Sequence, residues 1–210
     1  MSKSLKQDFV DRQKWFNNRA SAVFPVFVDD ESDTHLVFQN YWLWKNKLKN
    51  VFCVIRIRTE DGKNIIQRRI NIERHNELLI SNLLDSKAKI KGSVEIEIFS
   101  PDNLGYPFPA ILAFYTTEKY KSVVHAAGRI LNSNEISSNK KWEETNFLTK
   151  IDNNFSPFIS LFFADCRKEN TMLVLKFMDG SNNKLILKKK ISINSKPFGT
   201  SNIYIEKVLA

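Results

Sequence analysis

Three observations in the sequence predict an all-β protein. From residue 36 onwards, apolar residues recur at every second position, which is the period of a half-buried strand. Turn signals separate these runs at short intervals, and the clearest of them is Asp61-Gly62. Almost nothing between residues 36 and 131 has the period of a long helix. Short strands at such regular spacing are typical of an antiparallel β-sandwich.

The first 21 residues are polar, with Phe9, Val10, Trp15 and Phe16 interspersed among them. This spacing predicts a short amphipathic helix or an arm over residues 1–21. The segment has no apolar stretch of signal-peptide length, and no run in the chain approaches the roughly 18 apolar residues of a membrane span. We therefore expect a cytoplasmic protein that has no membrane partner.

Residues 22–131 are predicted to form the sandwich. The first apolar run contains Pro25, which favours an edge strand or an extended entry segment because proline has no N–H for a ladder hydrogen bond. The runs VFCVIRIR (51–58) and IIQRRINI (65–72) alternate on either side of the Asp-Gly turn, and together they predict a hairpin.

Three further runs complete the predicted sandwich. GSVEIEIFS (92–100) alternates cleanly, so we expect its apolar residues to face the core and Glu95 and Glu97 to face outward. AILAFYTT (110–117) and KSVVHAAGRIL (121–131) predict a second hairpin. In the last of these strands, one face is wholly apolar and the other carries polar side chains.

Residues 132–156 are rich in Asn and Ser and are predicted to be a linker or a long loop. Residues 157–210 repeat part of the first unit. FQNYWLWKNKLKNVFCVIRIR (38–58) aligns without a gap with FISLFFADCRKENTMLVLKFM (158–178), in apolar phase more than in identity. The chain ends before a full copy is made, so we predict an incomplete β unit that packs on the first unit or on another chain. A homo-oligomer is therefore expected.

The charge balance leaves two interpretations open. The net charge is +9 and the pI is about 9.5. Such an excess indicates either a solvated Lys-rich surface or a partner such as nucleic acid, an anionic membrane surface or an acidic molecule. The two cysteines, Cys53 and Cys166, lie in or beside apolar segments, which favours buried free thiols, although a disulfide between them stays open.

Catalytic motifs are absent from the sequence, which predicts a protein that is not an enzyme. It contains no nucleophile elbow, zinc-protease helix motif, phosphate-binding loop or dinucleotide fingerprint. No residues have metal-ligand spacing, so neither a metal nor a cofactor is expected. The paired acids at 29–31 and 143–144 lie in polar stretches and are expected to be solvated.

The predicted ligand site is a rim formed by Tyr106, Phe108, His125 and Arg129. Two prolines flank Phe108 and hold the loop extended, so that both rings can project. By strand alternation, the imidazole and the guanidinium share one face. Such groups suit a carbohydrate or an anionic small molecule. The alternative is structural, with rings that cap a core and a His–Arg pair bonded to its neighbours.

A second surface is predicted from rings and cations. In NYWLWKNK (40–47), alternation places Trp42 and Trp44 on one strand face, which indicates a ladder of rings. Aromatic residues among lysines can bind single-stranded nucleic acid. The alternative function is therefore electrostatic binding of nucleic acid. The residues assigned to it are Arg56, Arg58, Arg68, Arg69, Lys188, Lys189 and Lys190.

Residues 35–131 resemble the small β-sandwich family of sensory rhodopsin transducer proteins. The resemblance is carried by THLVFQNYWLWKNKLKNVFCVIRIRTEDG, by the return strand IIQRRINIERHNELLISNLLD, and by VEIEIFSPDNLGYPFPAILAFYTTEKYKSVVHAAGR. In the last stretch, Val123, Val124, His125 and Arg129 are similar to the family's final strand, although the His–Arg spacing differs. The resemblance implies a cytoplasmic β-sandwich that oligomerises and binds a ligand or a protein partner. It does not imply a rhodopsin partner.

Overall fold

The computed structural model describes most of the chain in eight ranges. These are residues 17–85, 88–118, 121–125, 128–131, 157–164, 170–182, 184–194 and 196–209. Most of the predicted N-terminal arm, the predicted linker 132–156 and Cys166 lie outside the described residues. The described residues up to Ile130 form one compact unit, apart from Glu60–Lys63. Those from Leu131 onwards, together with Glu60–Lys63, form a second unit.

The prediction of an antiparallel all-β fold is confirmed, since every strand pairing among the described residues is antiparallel. The first unit contains β1 (Arg19–Val28), β2 (Ser32–Gln39), α1 (Tyr41–Trp44), β3 (Phe52–Thr59), β4 (Asn64–Ile70), β5 (His75–Leu79), a 3-10 helix (Ile80–Leu83), β6 (Ile90–Phe99), β7 (Ile111–Thr117) and β8 (Lys121–His125). The second contains β9 (Phe158–Phe162), β10 (Asn170–Met178), β11 (Leu185–Asn194), β12 (Thr200–Tyr204) and α2 (Ile205–Leu209). Strand β1 begins at Arg19, so the residues 19–21 belong to a strand and not to an N-terminal arm.

The first unit consists of two four-stranded sheets. The strand orders are β1-β6-β3-β4 and β5-β2-β7-β8. Alternate side chains from both sheets contribute to one buried core, because the period of two places every second residue on the inner face. The core members include Phe24, Val26, Leu36, Phe38, Cys53, Ile55, Ile57, Ile96, Ile98 and Ile111. The Cys53 thiol is free, and burial raises its pKa to about 12.

Pro25 lies in an edge strand, which is one of the two interpretations that the sequence allowed, since β1 lies at one end of its sheet. Strand β8 lies at the end of the other sheet, and its burial differs from what the sequence pattern suggests. Alternation predicts one wholly apolar face for the run 121–131, but β8 is exposed along its whole length. Among the described residues, β8 pairs only with β7, and none of its residues belongs to the shared core.

The two glutamates of β6 lie on the outer face of their sheet, as predicted, but they are not exposed to solvent. Glu95 is 1% exposed and Glu97 is 3% exposed. Strand β6 lies between β1 and β3, so arginines from both neighbouring strands reach its carboxylates. Period-two alternation identifies the outer face, but it does not show what covers that face.

The second unit consists of two strand pairs, β10–β11 and β9–β12. Leu175, Ile193, Ile203 and Ile205 form its buried cluster among the described residues, and half-buried apolar residues pack around them. The β3–β4 and β10–β11 hairpins each have a register shift, opposite Ile57 and Arg58 in the first and opposite Phe177 and Met178 in the second.

The turn Glu60–Lys63 packs tightly within the second unit. Gly62 has a φ of +85°, and a Cβ at this position would lie 2.2 Å from the carbonyl oxygen of Pro197. The carbonyl oxygen of Glu60 accepts the N–H of Thr200 at 2.9 Å. Only glycine combines this backbone conformation with so close an approach.

Candidate functional site

The loop between β6 and β7, residues 100–110, is anchored at its centre by Leu104. The Leu104 side chain is fully buried, and its N–H donates to the carbonyl oxygen of Asn17 at 2.7 Å. Its own carbonyl oxygen accepts the indole N–H of Trp42 at 2.8 Å. These bonds fix the loop before any ligand is present, so the residues that follow Leu104 start from a defined position.

The outer edge of β1 holds this loop and the segment that follows β8. The N–H of Ser21 donates to the carbonyl oxygen of Pro107 at 2.9 Å, and the N–H of Val23 donates to that of Gly128 at 3.1 Å. The exposed edge of a sheet is therefore covered by two loops, which is a common way to block edge-to-edge aggregation. The same bonds bring Pro107 and Gly128 to one strand edge.

Phe108 and Arg129 lie one residue beyond these two anchors, and the structure brings them together. The Arg129 guanidinium carbon lies 5.7 Å from the centroid of the Phe108 ring. The Nε of Arg129 also donates to the hydroxyl of Ser21 at 3.3 Å. Phe108 is 50% exposed and Tyr106 is 55% exposed. Two exposed rings therefore lie on an anchored loop, and a guanidinium stacks on one of them.

His125 is the last residue of β8 and lies on the outward face of its sheet. It is opposite Leu112, the second residue of β7, so it lies at the end of the sheet where the 100–110 loop joins β7. The register places His35 and His75 on the same outward face. The Nε2 of His35 lies 3.9 Å from Glu77. Within the described ranges, no group of three His, Cys, Asp or Glu residues could hold a metal ion.

The prediction of a ring ladder at residues 40–47 is wrong. The segment forms α1, because the Asn40 side chain caps it by accepting the N–H of Leu43 at 3.1 Å. In this helical turn, Trp42 is buried whereas Tyr41 and Trp44 are exposed. The cap residue was visible in the sequence, but four residues are too few for a helical period to compete with strand alternation.

Helix α1 adds a second pair of rings at the same end of the unit. The rings of Tyr41 and Trp44 pack edge to face, with centroids 5.5 Å apart. The guanidinium carbon of Arg74 lies 5.3 Å from the centroid of Trp44. Sequence reasoning missed Arg74, which is placed there by the bond from the Asn40 N–H to its carbonyl oxygen. We call Tyr41, Trp44, Arg74, Tyr106, Phe108 and Arg129 the aromatic rim.

Two of the arginines assigned to nucleic-acid binding are instead part of a buried ion-pair network. The Nη1 of Arg58 donates to Glu95 at 3.1 Å, and Arg56 contacts the carboxylate of Glu97. Arg19 donates to Glu97 at 2.7 Å and to Glu95 at 3.0 Å. Burial lowers the pKa of Arg56. These three guanidiniums are held in ion pairs with two buried carboxylates, so Arg56 and Arg58 are not available as a phosphate-binding surface.

The other assigned cations divide between two strands. Arg68 and Arg69 are exposed on the edge strand β4, and Arg69 stacks on the ring of Phe52 at 5.1 Å. Lys188 and Lys190 are exposed on one face of β11, whereas Lys189 is half-buried on the other. The structure therefore gathers the seven predicted residues into no single surface.

Comparison of the chain with protein-family models, with curated proteins and with solved structures gave no match. The resemblance to the sensory rhodopsin transducer family therefore stays a prediction. Among the described residues, no helix is long and apolar enough to cross a membrane.

Proposed function

We propose that the protein is a non-enzymatic β module that binds a carbohydrate or an anionic small molecule at the aromatic rim. The observation that supports it best is the pair of Phe108 and Arg129, held together on two loops that β1 anchors. An exposed ring stacks on the apolar face of a sugar, and an adjacent guanidinium binds a carboxylate, sulfate or phosphate group.

The rim is suited to binding because its parts are held in place before the ligand arrives. Helix α1 and the 100–110 loop each present exposed rings with an arginine stacked on one ring, and the bond between Trp42 and Leu104 joins these two segments. A preformed site loses less conformational entropy when the ligand binds. Rings and guanidiniums recognise shape and charge, which favours a binding role over a catalytic one.

A glycan array with neutral and acidic saccharides tests this proposal, followed by calorimetry with the best acidic saccharide and its uncharged analogue. We expect Tyr106→Ala and Phe108→Ala to weaken binding of both ligands about 3- to 10-fold, because each removes a stacking ring. Arg129→Gln should weaken the acidic saccharide about tenfold and leave the neutral analogue nearly unchanged.

Ile65→Ala is the matched control, since Ile65 is also an exposed apolar residue of the first unit but lies on β4. It should bind like the wild type. The proposal fails if neither the array nor a thermal-shift screen finds a ligand. It also fails if Ile65→Ala loses as much affinity as Phe108→Ala.

We also propose that the second unit is an incomplete copy of part of the first. The pairs β2–β5 and β3–β4 recur in the same chain order as β9–β12 and β10–β11. In each unit, a short helix follows the last strand of these pairs, and its first residue is buried. This residue is Ile80 after β5 and Ile205 after β12. The register shifts of the two hairpins also fall at aligned positions.

Because of this repeat, we also propose that the protein associates with itself. Among the described residues, the copy has no counterparts of β6 and β7, which cover the edges of β3 and β2 in the first unit. Strand edges without such cover pair readily with another chain. Light scattering should therefore give a mass above 24.5 kDa. A concentration-independent monomer would contradict this part of the proposal.

Nucleic-acid binding is the second candidate function. It is favoured by the exposed face of the β10–β11 hairpin, where Lys188 and Lys190 lie on one strand and Lys176 lies opposite Lys188. A two-stranded ribbon fits the major groove of DNA, and its lysines would neutralise phosphates. Retention on DNA or RNA should fall steeply with salt. No retention at about 50 mM salt would remove this candidate.

A further inference from the structure

A cavity of about 470 Å³, largely open to solvent, lies in the second unit between β11, β12 and α2. Its volume is within the range of roughly 300–1,000 Å³ that small-molecule sites occupy. Its lining combines three lysines with apolar residues, a tyrosine and an asparagine. The lining residues are Lys189, Lys190, Ile191, Asn202, Ile203, Tyr204, Lys207 and Val208.

Lys189 is placed unusually for a lysine. It lies opposite Leu175 on the face of the hairpin that also carries Ile191 and Ile193, so it is on the core-facing side of β11. It is half-buried there, whereas the neighbouring Lys188 is exposed on the other face. A lysine among apolar side chains is stable only if its ammonium group reaches solvent or an anion. At this position the side chain lines the cavity.

Among the described residues that line the cavity, three are lysines and none is an aspartate or glutamate. Within the described part of the chain, no ion pair joins Lys189, Lys190 or Lys207 to a carboxylate. Like charges that line one cavity repel each other, and a bound anion relieves that repulsion.

The remaining lining residues indicate that the uncharged part of the ligand is apolar or planar. Ile191, Ile203 and Val208 form an apolar surface, and the side-chain nitrogen of Lys207 lies 5.2 Å from the centroid of the Tyr204 ring. A planar group can pack against the ring while an anionic group reaches the adjacent ammonium. Charge and apolar surface therefore lie side by side.

We propose that this cavity is a binding site for a small organic phosphate. The lysines hold the phosphate as point charges, and its double negative charge is balanced by more than one of them. The planar or apolar part of the ligand packs on Tyr204 and on the isoleucines. This site is separate from the aromatic rim, and it does not rest on the function proposed there.

The test is calorimetric titration of the full-length protein with three probes. These are phenyl phosphate, inorganic phosphate and benzyl alcohol. Phenyl phosphate carries both the charge and the ring, so we expect it to bind most tightly, with inorganic phosphate weaker and benzyl alcohol not detected. In the wild type, methyl NMR signals of Ile191 and Ile203 should shift with phenyl phosphate, whereas those of Ile96 in the first unit should not.

Variants separate the site from general electrostatic attraction. Lys189→Met and Lys207→Met keep the apolar stem and remove the charge, and each should weaken phenyl phosphate at least about tenfold. Lys188→Met is the matched control, because it removes the same charge from the next residue on the opposite face of β11. It should bind like the wild type. Tyr204→Leu should weaken phenyl phosphate more than it weakens inorganic phosphate.

Three results would overturn the proposal. One is the absence of binding heat and of methyl shifts with phenyl phosphate at millimolar concentrations. Another is an equal loss of affinity in Lys188→Met and Lys189→Met, which would show only a diffuse positive surface. The third is binding of a ten-nucleotide DNA strand that depends on Lys189 and Lys207 and is not displaced by phenyl phosphate, which would assign these cavity lysines to nucleic acid.

Discussion

The hairpin β3–β4 in the first unit and the hairpin β10–β11 in the second have similar alternating sequences but different burial. Ile57 in β3 is completely buried, whereas Phe177, at the aligned position in β10, is only half-buried. Strand β3 has a neighbour on each side, because β6 pairs with its other edge. Among the described residues, β10 pairs only with β11.

The difference shows that an alternating pattern specifies a strand and its inner face, but not how deeply that face is buried. Depth depends on how many strands flank it and on what packs across from it. Nineteen buried residues form the core of the first unit, and four form the buried cluster of the second, counted over the described residues. We therefore expect the second unit to be the less stable one.

Truncation of one core isoleucine in each unit should show the largest contrast. Ile96→Ala removes a completely buried side chain between two sheets, and we expect a loss of about 3–4 kcal/mol in the free energy of unfolding. Ile203→Ala lies in the smaller cluster and should cost about 1–2 kcal/mol. Denaturant unfolding monitored by hydrogen exchange in β6 and β12 measures both. Equal losses would contradict the comparison.

The buried ion pairs of the first unit should give the next largest effect. Glu95→Gln leaves the guanidiniums of Arg19 and Arg58 without a full counter-charge, and we expect a loss of about 3 kcal/mol in stability. Glu77→Gln is the control, because its carboxylate is exposed beside His35. It should change stability by less than about 0.5 kcal/mol. If both variants unfold at the wild-type denaturant concentration, the network does not contribute to stability.

Gly62→Ala should have a smaller effect that appears in the second unit. The new Cβ would meet the Pro197 carbonyl oxygen, and the φ of +85° is unfavourable for alanine. We expect a loss of about 1–3 kcal/mol, with faster hydrogen exchange in β12 than in β6. Gly105→Ala is the matched control, since Gly105 also has a positive φ but has open space around it. Gly105→Ala introduces the backbone strain without the steric contact, so it should lose less stability than Gly62→Ala. An equal loss in both variants would contradict a role for the contact with Pro197.

Much of the fold was predictable from local pattern. Most residues of the runs 51–58, 65–72 and 92–100 lie in β3, β4 and β6, and the Asp61-Gly62 turn joins the hairpin β3–β4. The candidate site was harder to predict from the sequence. Phe108 and Arg129 were predicted as parts of one rim, and the structure stacks them. The contribution of Arg74 depends on how β5 pairs with β2, which no local pattern in the sequence reports.

The sequence by itself determined strands such as β3, β4 and β6, their inner faces and the turn between β3 and β4, because these depend on residues within a few positions of one another. Only the tertiary structure decided that Glu95 and Glu97 are buried among arginines, that β8 is exposed on both faces, and that three lysines line one cavity. These properties depend on which strands become neighbours, and residues far apart in the chain decide that pairing.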